Sequence, residues 1–293
     1  MQTFKYYLYR FKWWLADTGR MTFDVPINLD IELAGKCQLA CTMCPFGTGA
    51  FSENMQGMMP RKMAEDLLIE AARIGIKSIK MNFRGEPGLS KDLESLISFA
   101  KALGFAEVFI NSNMLAFNDK RLKALADSGL DKLIVSVDGA SEETYEFIRV
   151  GGDFKKLVKN INLFNKYRKE TKLIIQMVVM DSNRHEVEKI KKLGADEYRF
   201  VQVQDRGAGE GVTIKERRRC PQPFQRLVVG WDGTIFPCCS NWNNEYPLGN
   251  YKTMSLLEAW NSSKMSTLRH IQNQNTLADN FPCKNCQVKG SYK

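Results

Sequence analysis

Residues 27–44 read Ile-Asn-Leu-Asp-Ile-Glu-Leu-Ala-Gly-Lys-Cys-Gln-Leu-Ala-Cys-Thr-Met-Cys. The first seven form a strand-like run, and the loop directly after it carries Cys37, Cys41 and Cys44. Downstream the same kind of run recurs at 78–82, 107–110, 133–137, 173–179 and 198–203. Between the runs, segments 61–73, 91–103, 119–128, 154–168 and 184–193 place apolar residues at helical spacing. Glycines at 75, 104, 129 and 194 follow four of these helices, where a C-terminal cap belongs. Strand and helix alternating over short connections predict a parallel sheet. Six such units are too few for a closed eight-stranded barrel, so the expectation is a partial (β/α)6 barrel in an α/β fold.

The alternation stops after residue 203. Residues 206–211 (Arg-Gly-Ala-Gly-Glu-Gly) have glycine at every second position with no helical pattern behind them, which reads as a linker rather than a phosphate loop. A hairpin around 231–234 and an amphipathic helix near 255–271 then suggest a small α+β domain. The predicted organisation is 1–24, a basic and aromatic helix; 25–209, the barrel; and 210–293, the second domain. The leading helix reads either as a membrane-surface or lid element, or as a helix packed on the body by its aromatic side.

The chain has 293 residues, 44% of them apolar, and a net charge of +9. That apolar content excludes a disordered tail protein. The best apolar run, 173–180, is broken by Gln176, and Lys5, Arg10 and Lys12 interrupt any signal-peptide pattern. A cytoplasmic setting is therefore expected, with no integral membrane span. Structural disulfides are rare there, so eight cysteines need another role, and two histidines leave little for imidazole chemistry. A CxxxCxxC cluster in such a protein reads as a metal site. Zinc ordinarily takes a fourth protein ligand, and none stands nearby in sequence. A cubane iron–sulfur cluster held by three thiolates keeps one iron open.

These residues resemble the radical S-adenosylmethionine (SAM) superfamily over roughly residues 25–290. The resemblance implies a [4Fe–4S] cluster on Cys37, Cys41 and Cys44 whose open iron chelates SAM. One-electron cleavage then releases a 5′-deoxyadenosyl radical, the electron coming from reduced flavodoxin or ferredoxin. Arg84-Gly85-Glu86-Pro87 resembles the superfamily's GGEP-type motif, with Arg in place of the first glycine, and gives Gly85 and Glu86 a part in holding the SAM amine. Asn111, Ser112 and Asn113 follow the third strand, Ser136 and Asp138 end the fourth, and Phe46 stands where an adenine-side aromatic is common. Arg149 resembles an arginine that pairs with the SAM carboxylate.

The segment from Gly233 to Cys238, with Cys283 and Cys286 beyond it, resembles the auxiliary-cluster domains called SPASM and its shorter form, twitch. By that resemblance Cys220, Cys238, Cys283 and Cys286 hold a second [4Fe–4S] cluster; a zinc ribbon on the same four thiolates is the competing reading. Cys239 is left over and is a candidate hydrogen-atom donor, as in the superfamily's epimerases. The layout is also similar to its dehydrogenases of aminocyclitols, where an auxiliary cluster accepts an electron. Arg199, Asp205 and Arg206, near the end of the last strand, are candidates for proton control. The expected substrate is a small polar molecule such as a sugar, aminocyclitol or nucleotide-sugar, oxidised or epimerised. The charge, including Lys215 to Arg219, permits an anionic one. Ribosomal-peptide maturation and tRNA modification stay open as alternatives, as does a zinc-binding structural protein. DNA is not an expected partner.

Overall fold

The computed structural model describes residues 4–19, 21–49, 56–202 and 219–274 together with Cys283 and Cys286. Six parallel strands follow one another across the sheet: β1 (Asn28–Ile31), β2 (Ser78–Lys80), β3 (Glu107–Ser112), β4 (Lys132–Ser136), β5 (Lys172–Val179) and β6 (Glu197–Gln202). Three more strands, β7 (Arg226–Val229), β8 (Thr234–Phe236) and β9 (Gly249–Asn250), extend it on the other side of β1. The result is an α/β fold whose mixed sheet runs from a partial TIM-like barrel into a small α+β C-terminal domain.

Leu29 and Ile31 of β1 and Ile79 of β2 point outward into the main core, so their neighbours Asn28, Asp30, Ser78 and Lys80 point into the lumen. Most of the helices cover the outer face. In chain order the helices are α1 (Phe4–Asp17), α2 (Pro45–Thr48), α3 (Arg61–Ile74), α4 (Leu93–Ala102), α5 (Asp119–Asp127), α6 (Glu142–Ile148), α7 (Phe154–Tyr167), α8 (Val187–Ile190), α9 (Leu256–Trp260) and α10 (Ser263–Gln274). Of these, α1 and α2 sit at the barrel's two ends. α3 shows the logic: Ala64, Leu67, Leu68 and Ala71 form the buried stripe, and Gly75 ends the helix at φ +92°. Asn118, Ser141 and Asp153 cap α5, α6 and α7 with side-chain oxygens that accept from backbone N–H groups of the first turn.

Two helix expectations change. The helix anticipated over 184–193 is a 3-10 turn, Arg184–Glu186, followed by the single turn of α8. Glu186 there accepts from Ala140 N and Ser141 Oγ, both at 2.6 Å, and that inward pull breaks the helical run. The helix anticipated near 255–271 is two, because Trp260 Nε1 donates to Phe23 O at 2.8 Å and Ser262 starts a new cap on Met265 N. The boundary expected near residue 210 lies outside the described residues, and the hairpin beyond it continues the barrel's own sheet through parallel pairing of β7 with β1.

α1 packs by one side only. Tyr9 and Ala16 are buried against Ile27 and Phe224, and Tyr9 Oη donates to Glu107 Oε2 at 2.9 Å. Glu107 begins β3, so α1 closes the end of the barrel opposite the cysteine loop and is no lid over it. Phe4, Tyr7, Leu8, Phe11 and Trp14 stay exposed on its other side. Among the described residues, no helix is long and apolar enough to cross a membrane.

Candidate functional site

The loop after β1 is fixed by backbone pairing on both sides. Ala40 N donates to Val150 O and Thr42 N to Ile148 O, each at 2.9 Å, which ties the loop to the end of α6 where Arg149 sits. Glu86 N donates to Lys36 O at 2.8 Å. A Cβ on Gly85 would fall 2.3 Å from Ala34 O and 2.4 Å from Lys36 O, so only glycine lets the two loops lie backbone against backbone. A cavity of about 460 Å³ opens here at the C-terminal ends of the strands. That is within the roughly 300–1,000 Å³ of small-ligand sites. Cys37, Cys41 and Cys44 line it, with Phe46, Gly85, Glu86, Asn111, Ser112, Asn113, Ser136 and Arg149.

Glu86 is buried, and its carboxylate already accepts from Gly88 N (2.9 Å), Ser112 Oγ (2.7 Å) and Asn113 N (2.8 Å). Burial nonetheless pushes its pKa up, against the pull of those donors. Its visible work is to join the loops after β2 and β3. Asp138 is fully buried and stands outside the described lining of the cavity. It forms an ion pair with Arg149 at 2.7 Å and accepts from Val178 N, so it acts on the cavity through Arg149. Arg199 is also outside that lining, its guanidinium turned to Glu197 Oε1 at 2.5 Å. Asp205 and Arg206 lie outside the described residues.

The donor set suits iron–sulfur ligation. All eight cysteines are free thiols. Arg149 Nη1 donates toward Cys41 Sγ at 3.8 Å and Asn113 Nδ2 toward Cys37 Sγ at 3.7 Å, as N–H groups do around anionic sulfur. Burial pushes the Cys37 thiol up to about 12, and raises Cys41 despite the opposing charge of Arg149. A bound cation would favour the thiolate form of both. Among the described residues no three His, Cys, Asp or Glu side chains are grouped to hold a single metal ion. A cubane takes each thiolate on a separate iron. Among the described residues, two polar atoms of the cavity lining are buried without a partner, Arg149 Nε and Asn111 Oδ1, one donor and one acceptor available to a ligand.

A second, smaller cavity is lined by Cys220, Cys238, Cys283 and Cys286. Burial raises the Cys238 thiol well above its ordinary range. Its neighbour Cys239 lines the large cavity instead, donating to Gln222 Oε1 at 3.3 Å, and Gln222 borders both cavities. Adjacent cysteines therefore line different cavities.

Sequence reasoning missed Lys80, Asn82, Gln176 and Gln222, which also line the large cavity. It also passed over the function of Arg84. That guanidinium donates from Nε and Nη2 to both oxygens of Glu32 (2.8 and 2.6 Å), and from Nη1 to Trp242 O (3.1 Å) and Asn244 Oδ1 (2.9 Å). It thus bolts the motif of residues 84–87 to the C-terminal domain. The signal was Glu32, an acid in a strand-like run that the fold buries, which needs a buried cation.

A model of the radical SAM superfamily matches residues 31–194, and one of the SPASM iron–sulfur cluster-binding domain matches 220–287. An S-adenosyl-L-methionine-dependent 2-deoxy-scyllo-inosamine dehydrogenase of Niallia circulans is 22% identical over 263 residues, covering 88% of this chain and 91% of that protein. A GTP 3′,8-cyclase of Alkaliphilus metalliredigens is 25% identical over 65% of this chain. The chain spans 60% of that cyclase's length, and 38% of the length of a probable GTP 3′,8-cyclase of Methanothermobacter marburgensis. Among solved structures, Streptococcus suis SuiB bound to S-adenosylmethionine superposes with TM-score 0.72 at 16% identity, over 91% of this chain and 72% of that one. BtrN in an open conformation superposes with TM-score 0.60 at 18% identity, over 92% and 96%. At such identities these structures speak for the fold.

Proposed function

Because the chain belongs to the radical SAM superfamily and carries a SPASM-type auxiliary domain, we propose that it removes a hydrogen atom from carbon in a small polar substrate held in the large cavity. Cys37, Cys41 and Cys44 would hold one [4Fe–4S] cluster with SAM on its open iron, and Cys220, Cys238, Cys283 and Cys286 a second. When bound, the first cluster and SAM supply a 5′-deoxyadenosyl radical. Arg149 would direct its unpartnered Nε to the SAM carboxylate, and Asn111 Oδ1 would accept from a ligand hydroxyl or amine. Phe46 would lie beside the adenine, with Gly85, Ser112, Asn113 and Ser136 completing the wall. Glu86 and Asp138 hold these groups in position.

The outcome we propose is inversion at the attacked carbon, carried by one observation: Cys239 faces the substrate cavity while Cys238 faces the four-thiol cavity. The Cys239 S–H bond would break as the new C–H bond forms on the opposite face. The sulfur radical left behind would take one proton and one electron, the electron from reduced flavodoxin or ferredoxin. Oxidation is the second reading, favoured by Gln222 bordering both cavities: the substrate radical would lose a proton and an electron, and a cluster held by Cys220, Cys238, Cys283 and Cys286 would supply a one-electron acceptor.

Anaerobic reconstitution with dithionite tests the shared chemistry. About eight irons per chain and formation of 5′-deoxyadenosine support it; two bound zincs with no SAM cleavage would overturn it. In deuterated water, inversion places one deuterium on carbon, and C239A stops product formation while 5′-deoxyadenosine still appears. Undiminished conversion by C239A would remove the donor role and leave oxidation.

A further inference from the structure

Several cations of the barrel and its sheet are held in ion pairs. Arg84 is held by Glu32 at 2.6 Å, Arg149 by Asp138 at 2.7 Å and Arg226 by Asp30 at 3.1 Å; Lys132 pairs with Glu107 and Arg199 with Glu197. Lys80, the last residue of β2, is not one of them. It lines the large cavity, half-buried, and among the described residues no carboxylate stands within ion-pair distance of it. Its register neighbour on β1, Asp30, is already taken by Arg226 Nη1 and by Asn28 Nδ2 at 2.5 Å. The single carboxylate in the cavity's described lining, Glu86, is occupied by its three donors.

An ammonium facing a part-enclosed cavity without a counter-charge makes the local potential positive, and an anion entering there meets far less screening than at an open surface. Gln176 on β5 lines the same cavity, and its side-chain amide has no hydrogen-bond partner among the described residues. It offers neutral N–H donors to complement the charge.

We propose that Lys80 forms the subsite for an anionic group on the substrate, a phosphate or a carboxylate, with Gln176 a neutral donor elsewhere on the same cavity wall. The inference rests on reading this cavity as the place of hydrogen abstraction, and it narrows the substrate from small and polar to small and anionic. Arg149 stays with SAM, already neutralised by Asp138; Lys80 is the charge left for the second molecule.

Calorimetric titration of the SAM-loaded holoenzyme with inorganic phosphate, and separately with acetate, tests this. Wild type binds at least one of them. K80M and K80Q weaken that binding about tenfold, the loss of one charge-assisted contact, while K80R keeps most of it. Binding of phosphate alone identifies a phosphorylated substrate, and of acetate alone a carboxylate. The proposal falls if neither anion binds, if K80M and K80Q bind them as wild type does, or if these variants weaken SAM instead. Reductive SAM cleavage by the unaltered enzyme is scored separately, so failure of the radical chemistry and failure of the anion subsite give different results.

Discussion

Replacing Arg84 by Met tests the bolt between the barrel and the C-terminal domain. Its side chain is 4% exposed and that of Glu32 is 0% exposed. Met has similar reach and keeps apolar contact with Phe83 and Phe236, whose rings lie 4.9 and 5.7 Å from the guanidinium carbon. What disappears is the charge and its four hydrogen bonds. Glu32 then retains two backbone donors, Arg84 N at 3.1 Å and Trp231 N at 3.2 Å, and no cation. Breaking a buried pair from one side costs about 3–5 kcal/mol. At about 2–4 °C per kcal/mol for a domain of this order, the melting temperature should fall by roughly 6–20 °C. The double variant E32Q/R84M removes both charges and should recover about 2 kcal/mol or more. Thermal unfolding of the reconstituted protein under anaerobic conditions, followed by circular dichroism, measures both. An R84M protein melting within about 2 °C of wild type, or a double variant less stable than R84M, would refute the reasoning.

Gly85→Ala should abolish SAM binding with a smaller loss of stability, because its Cβ would push the cysteine loop away from residues 84–87; calorimetric SAM titration and a melting curve separate the two. Tyr9→Phe should cost about 1–2 kcal/mol by taking the hydroxyl from Glu107, read by denaturant titration. Cys220→Ser should lower iron from about eight to about four per chain while 5′-deoxyadenosine still forms, checked by iron analysis and chromatography.

The barrel was legible because its signals are local. Each of the six strands observed overlaps its run in the sequence, and Gly75, Gly104 and Gly129 adopt the positive φ that a helix end requires; Gly194 also has positive φ but lies beyond the short α8, not at a helix end. The three-cysteine loop was legible because its spacing is short. Contacts between distant residues were not. Nothing near Arg226 announces that its strand pairs with Asn28, and nothing near Arg84 announces Trp242 or Asn244. A partial clue went unused: alternate residues of the inner strands are polar, Asn28, Asp30 and Glu32 in one, Ser78, Lys80 and Asn82 in another. In a sheet buried on both faces such a pattern marks a lumen that must be filled by polar partners or by a ligand. Asp138 matched a SAM-side motif in sequence but stands one layer behind the cavity, a distinction that depends on side-chain direction.

The pairing of β7 with β1 also bears on how the chain is made. β1 pairs on one side with β2, about 50 residues later, and on the other with β7, about 200 residues later. At roughly 5–20 residues per second, ribosomal synthesis leaves that second edge uncovered for about 10–40 s. An open parallel edge is an aggregation hazard, and pairing over such a separation is slow to nucleate. The first three cysteines emerge at the start of this interval and the cysteines of the second site only around or after its end. Cluster insertion into the first loop can therefore precede closure of the sheet, and slow translation or limiting iron would be felt first as insoluble protein.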